Sequence, residues 1–162
     1  MTPVASVLRE EIARDGPISL HRFMDLALYH TRHGYYRRGR DPFGRAGDYY
    51  TAEQLQPVFG RLMAARIRAL FEELGAPREF TVVELGAGRA EMAEALAGFR
   101  YLPVEVDGGA LPERFTGVVF ANEFFDALPV HLAVRRGGGW REMRVGAEGD
   151  RFAWVEAAPV GG

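Results

Sequence analysis

Three residue types are missing or scarce in this chain, and each shortage excludes a class of chemistry. None of the 162 residues is Cys, which excludes disulfides, thiolate metal ligands and a Cys nucleophile. All 20 basic residues are Arg, and without Lys there is neither Schiff-base chemistry nor a P-loop lysine. Only two serines are present, Ser6 and Ser19, both beside predicted helices. Neither stands in a Gly-x-Ser-x-Gly motif, so a serine hydrolase is not expected.

Other absences limit the partners and the compartment. The four His have no HExxH-like spacing, so a zinc enzyme is not expected. No apolar run approaches the roughly 20 residues of a membrane span, and the first residues lack the pattern of a secretory signal. A net charge of −2 gives no general attraction to nucleic acid or to an anionic membrane. We therefore expect a cytoplasmic protein with neither partner, and the bias toward Arg, Ala and Gly suggests a GC-rich bacterial genome.

The N-terminal half predicts helices around a long loop. Apolar residues at helical spacing predict a helix over 3–14, and Ser19 is a predicted cap for a second helix over 20–30. A capping-box pattern at Thr51 and an apolar stripe after Pro57 predict a further helix that kinks or restarts at the proline. Residues 31–50 are rich in Arg and Tyr and lack periodicity. They predict an active-site loop that is either a lid over a cleft or a solvated loop.

The C-terminal half predicts an α/β fold. Strands are expected at Phe80–Leu85, Tyr101–Val106 and Thr116–Ala121, with a helix over 88–98 after the first strand. This order is typical of a parallel sheet with right-handed crossovers. After Pro129, three alternating runs joined by glycine-rich turns predict antiparallel hairpin strands. The predicted segments, within one structural domain overall, are an N-terminal helical segment, a cofactor-binding core and a β-hairpin extension: 1–78, 79–130 and 131–162.

The first strand runs into a glycine loop, "VELGAGRAEM". Such a loop can be no more than a tight turn between strand and helix. Here it follows a convincing buried strand and opens toward a predicted helix, whose free N–H groups could meet a polar ligand. Glu105 lies at the end of the next strand, where a carboxylate can accept hydrogen bonds from both hydroxyls of a ribose.

The spacing of the loop favours one cofactor over another. In the dinucleotide pattern Gly-x-Gly-x-x-Gly, Glu91 stands where the last Gly should be. A carboxylate there would face pyrophosphate, which disfavours NAD and FAD. The S-adenosylmethionine pattern Glu-x-Gly-x-Gly-x-Gly is matched by Glu84, Gly86 and Gly88, with Ala90 in place of the third Gly. Because Ala restricts positive φ and adds one methyl group, we expect a tighter pocket that still works.

A second polar cluster, "ANEFFD", follows the third strand. It contains Asn122, Glu123 and Asp126 beside two Phe. Strand ends in open α/β sheets face the ligand crevice, so this cluster is expected at the reactive end of the cofactor. The alternative is that Asn122 caps a helix, the acids occupy its first turn and the rings are core.

Four blocks in order resemble the signature blocks of the MidA-like methyltransferases, relatives of the mitochondrial complex I assembly factor that methylates arginine. They are "GPISLHRFMDLALYHTRHGYY", "DPFGRAGDYYTAEQLQPVFG", "VVELGAGRAEMAEAL" and "VVFANEFFDALPVHLAVRRGGGWRE". The resemblance implies a Rossmann-like class I fold, S-adenosylmethionine (SAM) as cofactor and a protein arginine as methyl acceptor. It assigns Glu84, Gly86 and Gly88 to SAM and Glu105 to the ribose. Around the methyl-transfer cleft it places Gly47, Asp48 and Thr51, as cofactor-binding residues, and Asn122, Glu123 and Asp126, as catalytic residues.

The chain is shorter than the family pattern. Twelve residues, 106–117, stand where a class I methyltransferase has a helix, an edge strand and another helix. The chain also ends before the remaining strands of the family's sheet. We expect an abbreviated sheet of about three parallel strands with an open edge, covered by a second copy in a homo-oligomer or by a missing partner. The alternative function is a catalytically inactive binding or assembly module.

Overall fold

The computed structural model describes residues 1–37, 39, 47–48 and 57–159. Within these residues no helix has both the length and the apolar character that a bilayer crossing needs. The helices are α1 (Pro3–Asp15), α2 (Leu20–Tyr29) and α3 (Pro57–Glu73). The strands are β1 (Ile18–Ser19), β2 (Phe80–Leu85), β3 (Arg100–Val104), β4 (Thr116–Ala121), β5 (Leu132–Arg136), β6 (Gly139–Glu148) and β7 (Arg151–Pro159).

The chain divides into two compact units. One comprises Met1–Pro42 and Ala127–Gly162, and the other comprises Phe43–Asp126. The N-terminal helices α1 and α2 thus share a unit with the C-terminal strands, whereas α3 shares a unit with the parallel strands. The predicted segments 1–78, 79–130 and 131–162 stay a prediction about organisation along the chain.

The first unit packs α1 and α2 on an antiparallel sheet. Strand β6 pairs with β5, with β7 and with the short β1, which the sequence did not predict. The predicted cap is confirmed, because the Arg22 N–H donates to Ser19 Oγ at 3.1 Å. The buried core of this unit joins both helices to the sheet through Leu8, Ile12, Ile18, Leu26 and Val145. The three predicted hairpin strands are therefore present and form the platform for the N-terminal helices.

The second unit contains the predicted parallel sheet, in the order β3-β2-β4. Strands β2 and β4 have the predicted bounds, whereas β3 begins and ends earlier than predicted, so that Glu105 directly follows it. Among the described residues β4 pairs only with β2, which leaves the open edge expected from the sequence. The main core cluster lies on one face of the sheet, where α3 and the 88–99 segment supply Ile67, Met92 and Leu96 beside Phe80 and Val82.

The predicted helix over 88–98 is wrong. The segment is a chain of turns with one short 3-10 helix, Glu91–Ala93. Gly88 and Ala90 both adopt left-handed backbone conformations, with φ of 56° and 57°, and such residues cannot continue a right-handed helix. The turns nevertheless bury Met92 and Leu96, at 1% and 0% exposure, so the predicted apolar face is retained without the helix.

The connection from β3 to β4 is short and contains no helix or paired strand. Directly after β3, Glu105 and Gly108 form an isolated antiparallel bridge, with N–H···O=C distances of 2.7 and 3.1 Å. Residues 109–115 then run irregularly to β4. The expectation that these residues form only a loop is confirmed.

Candidate functional site

The three parallel strands end at the same level. Leu85, the last residue of β2, pairs with Val104 at the end of β3 and with Ala121 at the end of β4. The next residues along the chain, Gly86, Glu105 and Asn122, therefore leave the sheet side by side. The structure thus brings the glycine loop, the predicted ribose acid and the second polar cluster together at the carboxyl end of one sheet. The individual roles of these residues stay predictions.

The glycine loop needs its glycines for their backbone conformation. Gly86 has φ of 68° and Gly88 has φ of 56°, in the left-handed region that glycine adopts without strain. The Gly86 N–H donates to the Val104 carbonyl at 2.9 Å, which ties the loop to β3. Ala90, where the SAM pattern has its third glycine, is also left-handed. The position therefore keeps the conformation that favours glycine, at the cost of backbone strain.

Glu105 is bonded to the glycine loop. Its Oε1 accepts from the Gly88 N–H at 2.7 Å, and its Oε2 accepts from the Val106 N–H at 3.1 Å. Hydrogen bonds to an ionised acceptor are the stronger kind, so this carboxylate helps to hold the loop in shape. The helix N-terminus that was expected to present free N–H groups here is absent. The Gly88 N–H has Glu105 as its partner, and the Arg89 N–H has the carboxylate of Glu91, at 3.2 Å.

Glu84 differs from the other predicted site residues that the structure describes because it is buried, with 5% exposure. It lies on the same face of β2 as Phe80 and Val82, since side chains alternate along a strand. The hydroxyl of Tyr101, on β3, donates a hydrogen bond to its carboxylate. A buried carboxylate without a donor is costly, and Tyr101 supplies one. Tyr101 was not among the residues predicted from the sequence. The feature that could have pointed to it is a Glu in one predicted strand, which needs a donor, and a Tyr in the neighbouring predicted strand.

The "ANEFFD" segment turns back over the glycine loop. Glu123 is exposed and has φ of 48°, an uncommon value for a residue other than glycine. Phe124 lies against Gly86: a Cβ on Gly86 would stand 2.6 Å from Phe124 Cδ2. The two motifs are therefore in direct contact, and the loop has no room for a side chain at Gly86.

The remaining predicted site residues lie in the segment after β4 and in the segment before α3. Asn122 is half-buried, and Asp126 is exposed within the 3-10 helix Phe125–Ala127. No α-helix follows Asn122 before β5, so the alternative interpretation of Asn122 as a helix cap does not describe this segment. Gly47 and Asp48 lie in a bend, half-buried and exposed respectively. Thr51 lies outside the described residues, as does its predicted capping box.

Comparisons with known proteins find similarity to methyltransferases. A family described as "Putative S-adenosyl-L-methionine-dependent methyltransferase" matches residues 103–161. The mitochondrial protein arginine methyltransferase NDUFAF7 homolog of Drosophila melanogaster is 28% identical, over 94% of this chain and 48% of its own length. The human protein arginine methyltransferase NDUFAF7 is 26% identical, over 90% and 45%. The crystal structure of a methyltransferase candidate from Burkholderia thailandensis, bound to S-adenosylhomocysteine, has a TM-score of 0.74 and 32% identity, over 94% of this chain and 49% of that one.

The fold and the matches are similar to those of one class of protein, the Rossmann-like S-adenosylmethionine-dependent methyltransferases. Within that class the chain is similar to the MidA-like proteins, and the resemblance predicted from the sequence is confirmed. The chain spans about half the length of the curated relatives it matches. The match to the Drosophila protein extends over 210 aligned positions, more than the 162 residues of this chain. That relative therefore has residues, within the matched region, for which this chain has no counterpart.

Proposed function

We propose that this chain binds S-adenosylmethionine at the carboxyl ends of β2, β3 and β4 and transfers its methyl group to a protein arginine. The observation that carries the proposal is the alignment of three strand ends, which brings Gly86, Glu105 and Asn122 together. The fold is shared with a protein solved with S-adenosylhomocysteine bound, which supports the cofactor. The relatives named as protein arginine methyltransferases support the acceptor.

The residues at this edge fit the proposed cofactor. Each oxygen of Glu105 accepts one backbone N–H. A carboxylate has about four acceptor positions, so Glu105 can also accept from two ribose hydroxyls without releasing the loop. Gly88 has no side chain, which lets a ligand approach the backbone closely, whereas Phe124 occupies the place where a side chain of Gly86 would stand. When bound, SAM supplies an activated methyl group, so the protein has to bind, orient and exclude water.

The acceptor would be held by the carboxylates of the "ANEFFD" segment. Glu123 and Asp126 are both exposed, so a segment of another protein can reach them. Charge-assisted hydrogen bonds from the guanidinium to these carboxylates would fix its plane and direct one nitrogen at the methyl carbon. SAM bound at the strand ends would supply the methyl group, and its sulfur would leave as the guanidinium nitrogen held by Glu123 and Asp126 takes that group. The proton that this nitrogen then loses can pass to a neighbouring carboxylate.

Calorimetric titration with S-adenosylhomocysteine (SAH) tests cofactor binding. We expect micromolar affinity, and we expect Glu105→Gln to lower it about tenfold or more, since one charged acceptor is lost. Glu79→Gln is the matched control: Glu79 is an exposed Glu at the opposite, amino end of β2. Equal affinities for the two variants would contradict the placement of the ribose at Glu105.

Methyl transfer to arginine-containing peptides, followed by mass spectrometry, tests the reaction. Glu123→Ala is expected to abolish transfer and to leave SAH affinity nearly unchanged, because Glu123 is assigned to the acceptor. A parallel loss of binding and transfer would instead make Glu123 a cofactor ligand or a structural residue.

The second candidate function is a binding or assembly module without activity. It is favoured by the length of the chain relative to its match, since the missing positions lie within the matched region. Absence of SAH binding at millimolar ligand would support this module and refute the proposed enzyme.

We also propose that the open edge of β4 pairs with a second copy of the chain. Unpaired strand edges promote association, and the β4 side chain Val119 is 54% exposed. Light scattering is expected to give a multiple of the 18.0 kDa chain mass. A monomeric peak would refute the homo-oligomer.

A further inference from the structure

One carboxylate near the carboxyl ends of the parallel strands, where the cofactor is proposed to bind, is buried in the core. Glu84 is 5% exposed, whereas Glu105 and Glu123 are exposed. On its face of β2 the preceding residues are Phe80 and Val82, both part of the apolar core beneath α3. A charge in such a layer is stable only if polar groups compensate it.

Tyr101 is built to supply part of that compensation. Its ring packs against the apolar core of the second unit, and its backbone pairs with Val82, two residues before Glu84. From there its hydroxyl reaches forward across the strands and donates to the Glu84 carboxylate. The ring is fixed by packing, so the hydroxyl is held in place before any ligand arrives.

Glu84 in turn stands next to the loop that is proposed to hold the cofactor. Only Leu85 separates it from Gly86, where the chain leaves the sheet and meets Phe124. A carboxylate held in one orientation presents its negative charge in one direction, and a cationic group such as a sulfonium or an ammonium gains most from that arrangement.

We propose that Tyr101 is a positioning residue of the cofactor site, which acts by fixing the carboxylate of Glu84 beneath the glycine loop. The inference rests on the proposed function, since it assigns Tyr101 to the same binding site. A Tyr that serves folding alone would lower stability when its hydroxyl is removed, without a coupled effect on ligand affinity.

A double-mutant cycle on SAH affinity separates the two roles. The variants are Tyr101→Phe, Glu84→Gln and the double variant, each titrated by calorimetry below its own unfolding midpoint. Tyr29→Phe is the matched control: it removes a half-buried Tyr hydroxyl that donates to the Ala127 carbonyl at 2.9 Å, in the first unit. We expect Tyr101→Phe to lower affinity about tenfold, as for a lost hydrogen bond to a charged group. We expect Tyr29→Phe to leave affinity unchanged.

The coupling decides the outcome. If Tyr101 acts through Glu84, adding Tyr101→Phe to Glu84→Gln lowers affinity less than about twofold. Tenfold losses in both backgrounds, or a lower unfolding midpoint with unchanged affinity, would overturn the inference. If Tyr101→Phe does not fold, Tyr101→His retains a ring donor, and affinity within about threefold of wild type supports the same role. A folded Tyr101→His variant that loses the same affinity in the wild-type background and in the Glu84→Gln background overturns it, because the loss would then not pass through Glu84. Failure of the wild-type chain to bind SAH would refute the proposed function itself, whereas binding without coupling refutes only the role of Tyr101.

Discussion

Replacement of Gly86 by Ala tests the contact between the two motifs. Gly86 has φ of 68°, and a Cβ there would stand 2.6 Å from Cδ2 and 3.3 Å from Cβ of Phe124. Carbon atoms in contact are ordinarily about 3.5–4.0 Å apart, so the ring would have to move by about 1 Å. The substitution therefore combines a strained backbone with an overlap of side chains.

The magnitude follows from these two terms. A left-handed Ala costs roughly 1–2 kcal/mol, of which about 0.4–1 kcal/mol is returned because Ala restricts the unfolded chain. Displacement of a packed ring costs a further 1–3 kcal/mol, roughly, by analogy with overpacked cores. We expect Gly86→Ala to lower the free energy of unfolding by about 2–4 kcal/mol and to weaken SAH binding, because Phe124 is pushed out of place.

Urea denaturation with a matched control measures the overlap by itself. Gly75 has φ of 81° and nothing within 4 Å of the place that a methyl group would occupy, so Gly75→Ala carries only the backbone term of about 1 kcal/mol. Adding Phe124→Ala to Gly86→Ala should make the two losses less than additive, since the overlap disappears. A urea midpoint that Gly86→Ala shifts no further than Gly75→Ala does would refute the overlap.

Three further changes test strain and charge. Glu123→Gly is expected to raise the free energy of unfolding by about 0.5–1 kcal/mol, by relief of the left-handed conformation, and to abolish methyl transfer; retained transfer would show that the carboxylate is dispensable. Ala90→Gly should give a similar gain in urea denaturation, equal to that of Ala76→Gly, because Ala76 is also left-handed, with φ of 50°. The hydrogen bond from Arg22 holds the pKa of Glu11 below its ordinary value of 4.5, so its stabilising effect is present above that pH and is lost as pH falls through the lower folded value. Urea denaturation at neutral pH should therefore give wild type a free energy of unfolding about 1 kcal/mol higher than that of Glu11→Gln, and this difference should vanish on acidification. A difference that stays constant with pH would contradict the assignment.

The sequence was sufficient for the parallel strands because their signal is local. Phe80–Leu85 is a mainly apolar, β-branched segment that lies between Pro77 and Gly86, and the structure has a strand with the same bounds. The register that aligns Leu85 with Val104 and Ala121 follows from the parallel sheet, and it made the convergence of three motifs predictable. The pattern of apolar residues in one sequence is therefore enough to predict these strands and the end of the sheet at which they finish.

The misses have a different physical origin. The Ala-rich segment 88–98 has high helix propensity, but the loop before it imposes left-handed conformations that propensity does not report. The Tyr101–Glu84 hydrogen bond joins two strands 17 positions apart, and only the sheet register makes it visible. Glu123 has a strained backbone that no composition rule predicts. Strained residues of this kind are frequent at functional sites, which agrees with the assignment of Glu123 to the acceptor.

The short connection after β3 bears on the proposed cofactor site, because it begins at Glu105. The bridge between Glu105 and Gly108 turns the chain back at once, and Gly109, with φ of 81°, packs against the Pro103 carbonyl so closely that a Cβ would stand 2.6 Å from it. Glu105 is therefore anchored by its backbone at the bridge and by its carboxylate at Gly88. On the proposed placement of the cofactor, this short connection follows the acid assigned to the ribose, on the side where the resemblance expects contacts to adenine. Glu105 and the glycine loop are the groups proposed for the ribose and methionine portions of the ligand, so we expect binding by this chain to depend mainly on them.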